Sequence, residues 1–122
     1  MALYLVAAQH RADSPFNLLE DHTQVWRDLT DFDDELRAAG ALVFSRGLEE
    51  PDAAVAFRTH ADGSVARQEG PYAPTTLAGM WIIDCPEQDA ERWAQRCAAA
   101  HRCDVELRPF QPHVSDQLKE LP

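Results

Sequence analysis

Basic side chains are scarce in this sequence: 11 Lys and Arg stand against 21 Asp and Glu, giving a formal net charge of -10 over 122 residues. Nucleic acid and anionic lipid both need clustered cations to neutralise phosphate, so DNA, RNA and membrane surfaces are excluded as expected partners. Cysteine is also sparse. Cys85, Cys97 and Cys103 form an odd set without C-x-x-C spacing, which argues against a disulfide framework and for free thiols in a reducing, cytoplasmic setting. The opening MALYLVAAQH is short, has no basic leader and meets His10 and Arg11 at once, so neither a signal peptide nor a membrane span is expected there. The sequence has no G-x-S-x-G, P-loop or G-x-G-x-x-G pattern, so serine hydrolase, phosphate-loop and Rossmann chemistries lack their loops.

What is present suits one small domain. Three Trp, five Phe and a 45% hydrophobic composition supply a core that needs no disulfide or metal staple. The domain is expected over residues 1–110. A polar tail, 111–122, follows it, with Val114 and Leu118 as spaced apolar residues that either dock on a partner subunit or stay loose.

The apolar run Ala2 to Gln9 reads as a strand in the middle of a sheet. Asp13, Ser14 and Pro15 then make the stretch His10 to Asn17 a loop. From Leu18 to Ala39, apolar residues at three- and four-residue steps, with His22 among them, predict an amphipathic helix. Gly40 is placed to close it in a left-handed conformation, before a strand at Ala41 to Phe44. Ala53 to Thr59 and Ser64 to Arg67 flank an Asp-Gly turn and read as a hairpin. Gly70, Pro71 and Pro74 make an irregular loop, and Leu77 to Asp84 resumes as a strand whose Gly79 signals a bulge or a close backbone approach. Pro86 opens a second helix, with Ala90, Trp93, Ala94 and Cys97 on its buried stripe, and Asp104 to Phe110 closes as a strand.

With the hairpin as an insertion, this order is an α+β, ferredoxin-like βαββαβ arrangement: an antiparallel four-stranded sheet with both helices on one face. The second face is apolar and needs a cover. A second copy stacking sheet on sheet would supply it, so a homodimer is expected.

Several segments resemble the YCII-related (DGPF) family. LYLVAAQHRADS, residues 3 to 14, is similar to the family's opening strand and its Ala-Gln-Asp step; QEGPY, residues 68 to 72, with LAGMWIID, residues 77 to 84, resembles the DGPF motif and the strand after it. VELRPF, residues 105 to 110, is similar to the usual ending. The resemblance implies a dimeric α+β barrel with a cleft in each subunit. It also implies, for some members, enzymes using a His and Asp pair, for example in dehydrochlorination of an aromatic, while others have no assigned activity. The family's His corresponds to His22, but His10 replaces the Asp that should follow Ala-Gln. A second imidazole cannot offer a fixed negative charge, so Asp13 and Asp21 are the neighbouring candidates for the missing acid.

His22 and His10 are thus the candidate catalytic residues. The plainer alternatives are a hydrogen-bonded structural His22 and an exposed loop His10. Tyr72, Arg58 and Trp26 are the candidate substrate-binding side chains, against a packed Tyr72, a solvated Arg58 and a Trp26 serving the helix stripe. Cys97, His101 and Cys103 invite a zinc reading, but the spacing is wrong and a fourth ligand is missing; Asp31, Asp33, Asp34 and Glu35 read as a solvated helix face. No metal and no cofactor are expected. Two functions stay open: a lyase or isomerase moving a proton by histidine on a small hydrophobic or aromatic molecule, and a non-catalytic metabolite-binding or regulatory dimer module.

Overall fold

The computed structural model describes residues 2–112 together with 119 and 121. Val114 and Leu118 of the tail lie outside the described residues. Strand β1 (Ala2–Gln9) is central, because its alternate residues Tyr4, Val6 and Ala8 are all buried and its apolar character lets it accept neighbours on both edges. It pairs antiparallel with β5 (Leu77–Cys85) and with β6 (Asp104–Pro109), and β2 (Leu42–Gly47) pairs antiparallel with β5. The resulting order β2-β5-β1-β6 is consistent with the ferredoxin-like α+β arrangement.

The long helices α2 (Thr23–Ala38) and α3 (Glu87–His101) contact each other and the sheet. Between them lies a core of Tyr4, Val6, Phe32, Leu36, Trp81, Ile83, Trp93 and Cys97. Helix α2 ends in a Schellman motif: Gly40 has φ +69°, its N–H donates to Arg37 O, and Ala41 N–H donates to Leu36 O. The hairpin of β3 (Val55–Thr59) and β4 (Val65–Glu69) forms its own two-stranded sheet, turned at Asp62-Gly63, where Asp62 accepts from Ser64 N–H and Oγ. Among the described residues, no helix is long and apolar enough to cross a membrane.

Three boundaries differ from expectation. Helix α2 starts at Thr23, with His22 as its N-cap, because the chain spends Pro15–Leu18 on a separate short helix, α1, with proline in its first turn. Leu18 and Leu19 are exposed rather than part of the stripe. Strand β2 runs on to Gly47, carried by the neighbouring length of β5. Pro86 is the N-cap of α3 rather than a first-turn residue.

Candidate functional site

At one end of the sheet, the exit of β1, the short α1, the start of α2 and the end of α3 converge. They line a cleft of about 1110 Å³ whose opposite wall is β2 and the entry to β5. Phe16, supplied by α1, is the organising ring. It stacks on His10 at 4.3 Å and on His22 at 4.1 Å, and two rings so stacked take opposite faces. The family-derived pair His10 and His22 is therefore not in direct contact: a phenyl ring lies between them.

The partner of His10 is His101. Their Nε2 atoms are 3.0 Å apart, so one ring donates and the other accepts. His101 closes the buried stripe of α3 four residues beyond Cys97, and it is only 6% exposed. The chain can turn straight after it because Arg102 takes a left-handed conformation, φ 57°, with its guanidinium paired to Asp28 of α2 at 2.7 Å. Burial lowers the pKa of His101 to about 4, and neighbouring His10 adds to the effect. Burial also lowers the pKa of half-buried His10; the charge of Glu50 opposes this and His22 reinforces it. Both rings are thus neutral at pH 7. The Nδ1 atom of His101 is buried and has no hydrogen-bond partner among the described residues.

His22 Nε2 donates to the carbonyl oxygen of Phe16 at 2.8 Å, which ties the ring to the short helix α1 and fixes its orientation. Neither substitute acid reaches it. Asp13 pairs with Arg11, whose guanidinium also forks onto Asp104, and Asp21 accepts from Thr23 N–H and Oγ1 at the start of α2.

Trp26 lines the cleft while remaining half-exposed. Tyr72 and Arg58 do not line it: Arg58 donates to Gln68 and to Tyr72 O and lies 4.5 Å over the exposed Tyr72 ring, forming a separate cluster on the hairpin. The acidic run of α2 is not wholly solvated either. Asp33 lines the cleft and accepts from the buried Trp81 indole N–H at 2.7 Å and from Ser45 Oγ at 3.2 Å.

Phe16, Asp33 and the His10–His101 pairing were missed by the sequence reading. Two had a signal: Asp33 stands four residues after Leu29 and His101 four after Cys97, both on inward faces. Phe16 had none, because a four-residue helix carries no periodicity.

The fold and site thus define a small α+β protein with a histidine and aromatic cleft at one end of an antiparallel sheet. The YCII-related domain model matches residues 2–111, and the chain belongs to that family. No curated protein matches the chain.

Proposed function

We propose that this YCII-related protein binds a small hydrophobic or aromatic molecule in the cleft and moves a proton on it through His10, as a cofactor-independent lyase or isomerase would. The observation that carries this reading is the contact of 3.0 Å between two neutral imidazoles at the cleft wall. With His10 Nε2–H donating to His101, the neutral His10 ring keeps its Nδ1 lone pair for a substrate proton, and His101 behind it fixes this orientation and tautomer. Trp26 offers a ring face and Phe16 a ring edge to an apolar substrate, while His22, held by the Phe16 carbonyl, supports the stack from the far side. Positioned proton transfer of this kind contributes on the order of a hundredfold to ten-thousandfold, which suits an activated substrate.

A second reading, a non-catalytic metabolite-binding or regulatory module, is favoured by one fact: among the described residues, neither His10 nor His101 hydrogen-bonds a carboxylate. In either case a homodimer, the dimeric α+β barrel, is supported by the sheet face away from the helices. It carries Leu3, Leu5, Ala7, Phe44, Met80 and Ile82, of which Leu3 and Phe44 are exposed. The buried free thiols support a cytoplasmic setting.

The test is a screen of haloaromatic and carbonyl compounds, read by histidine ring NMR shifts for binding and by product formation for turnover. Turnover that His10→Ala abolishes while binding survives supports the enzyme. Turnover retained by both His10→Ala and His101→Gln overturns it. Binding without turnover across the screen selects the module. Sedimentation at micromolar concentration checks the dimer, and a monomer would remove that part of the reading.

A further inference from the structure

His10 follows the last residue of β1, and Cys103 precedes the first residue of β6. Because Gln9 and Asp104 are partners across these antiparallel strands, the register brings His10 and Cys103 side by side. His101 reaches the same point from the end of α3, folded back by the left-handed turn at Arg102. One ligand atom from each of His10, His101 and Cys103 lies within 4.8 Å of the others, and the two histidine Nε2 atoms are 3.0 Å apart. Zinc held at the usual bond lengths sets nitrogen pairs roughly 3.3 Å apart and nitrogen–sulfur pairs roughly 3.6 Å apart, so the widest separation need close by only about an ångström.

One further observation points to a ligand. His10 and His101 line the cleft while the buried Cys103 is not part of its lining, so three protein ligands would close one side and leave a fourth position facing open space.

We propose that His10, His101 and Cys103 form a binding site for a borderline-soft divalent cation of the zinc type, with the fourth coordination position open to the cleft. Two neutral imidazoles and one thiolate are the donor set such ions select over magnesium or calcium. On binding, the Cys103 S–H bond breaks and a sulfur–metal bond forms; the thiol proton is released to solvent and no electron is transferred. Each histidine gives its Nε2 lone pair, and the ring that donated the hydrogen bond between them moves its single proton to Nδ1. The inference goes beyond the proton-transfer reading and does not need it, since it requires only the three ligand atoms. A bound cation would hold the His10 proton on Nδ1, the atom that His10 needs as a base, so metal binding and proton transfer exclude one another on the same residues.

The experiment is a titration of the intact chain with Co²⁺ alone, under a thiol-free reductant, followed by absorbance. The expected result is saturation at one equivalent, with a near-ultraviolet sulfur-to-cobalt charge-transfer band and the intensified visible bands of four-coordinate cobalt. Cys103→Ala should abolish the charge-transfer band. His10→Gln, at the half-buried cleft wall and so least harmful to folding, should weaken binding by more than about tenfold, since even outer-shell changes reach that size. Cys85→Ala, at the opposite end of β1, should leave the spectrum unchanged. Absence of the band at stoichiometric cobalt in the folded wild type overturns the site, as does a band that survives Cys103→Ala. No substrate enters the measurement, so either result leaves the proton-transfer reading to its own test.

Discussion

The Nε2 atoms of His10 and His101 meet at 3.0 Å across 91 residues of sequence, where the first strand and the last long helix end together. The contact joins a half-buried ring facing the cleft to one that is almost wholly enclosed. Because burial favours the uncharged form of both, the pair is held neutral, and one proton serves as the bond between the rings.

That neutrality makes stability depend on pH. The His101 pKa falls from an ordinary 6.5 to about 4 on folding, so between those values the unfolded chain binds a proton that the folded chain does not. The contribution is complete above pH 6.5, is lost as pH falls toward 4, and is constant below that. The depression corresponds to at most roughly 3 kcal/mol. Asp21, Asp28, Asp62 and Asp104, whose hydrogen bonds hold their carboxyls below 3.8, lose their contributions at lower pH, so the windows separate. Urea unfolding of wild type at pH 7, 6, 5 and 4 should show the decline, and His101→Gln should remove most of it. Parallel pH profiles for the two proteins would show that His101 does not carry the effect.

Asp33 is expected to support both the core and the cleft. The Trp81 indole N–H is buried and gives its proton to Asp33, so Asp33→Ala leaves a buried donor unsatisfied, at a cost of about 1–3 kcal/mol. Asp33→Asn keeps an acceptor oxygen and should recover at least half of that loss. The readout is the urea midpoint at constant m. If Asp33→Ala unfolded at the wild-type midpoint, the indole must find another acceptor.

The sheet and helices were legible in the sequence because each carries a repeating pattern. The β1 apolar run, the Ala90, Trp93 and Cys97 stripe of α3 and the Gly40 stop all fell where periodicity and cap chemistry put them. The site was only partly legible. His10 was visible as a residue at a strand end, and the inward position of His101 could be read from its spacing to Cys97, but that the two rings meet is set by the return of α3 beside β1, a tertiary fact. His22 was read as a residue of the helix stripe, whereas it is an N-cap whose ring turns to a backbone carbonyl. A break between two helices, Pro15–Leu18 and Thr23–Ala38, carries no signal when apolar residues continue across it. Arg58 and Tyr72 did meet each other, but on a hairpin away from the cleft.

Phe16 should prove the spacer that keeps His10 and His22 apart. Phe16→Ala is expected to cost about 3 kcal/mol, at the low end for a buried phenylalanine because α1 lies beside the main core. In NMR spectra, ring-current shifts should collapse on both His10 and His22, which the phenyl ring touches from opposite sides. Phe16→Leu should preserve more of the stability while losing the same shifts. If only one histidine responded, the stack would not be the one described.

Gly79 fixes how closely β2 can approach β5, and with it the width of the cleft. A Cβ at this position would stand 3.0 Å from Arg46 O and 3.2 Å from Gly47 Cα, both backbone atoms that cannot swing aside. Gly79→Ala should therefore cost about 1–3 kcal/mol through strain rather than through any lost contact. Relief comes by pushing β2 outward, which draws Ser45 away from Asp33 and weakens binding of any cleft ligand. Gly47→Ala is the matched control: its Cβ would meet only Ala78 O, at an ordinary 3.9 Å, and stability should stay within about 0.5 kcal/mol. Urea midpoints of the two variants decide the matter. Equal midpoints would mean that β2 yields without resistance and that the cleft wall is not set by this glycine, whereas a clear loss confined to Gly79→Ala would show that a missing methyl group holds the wall in place.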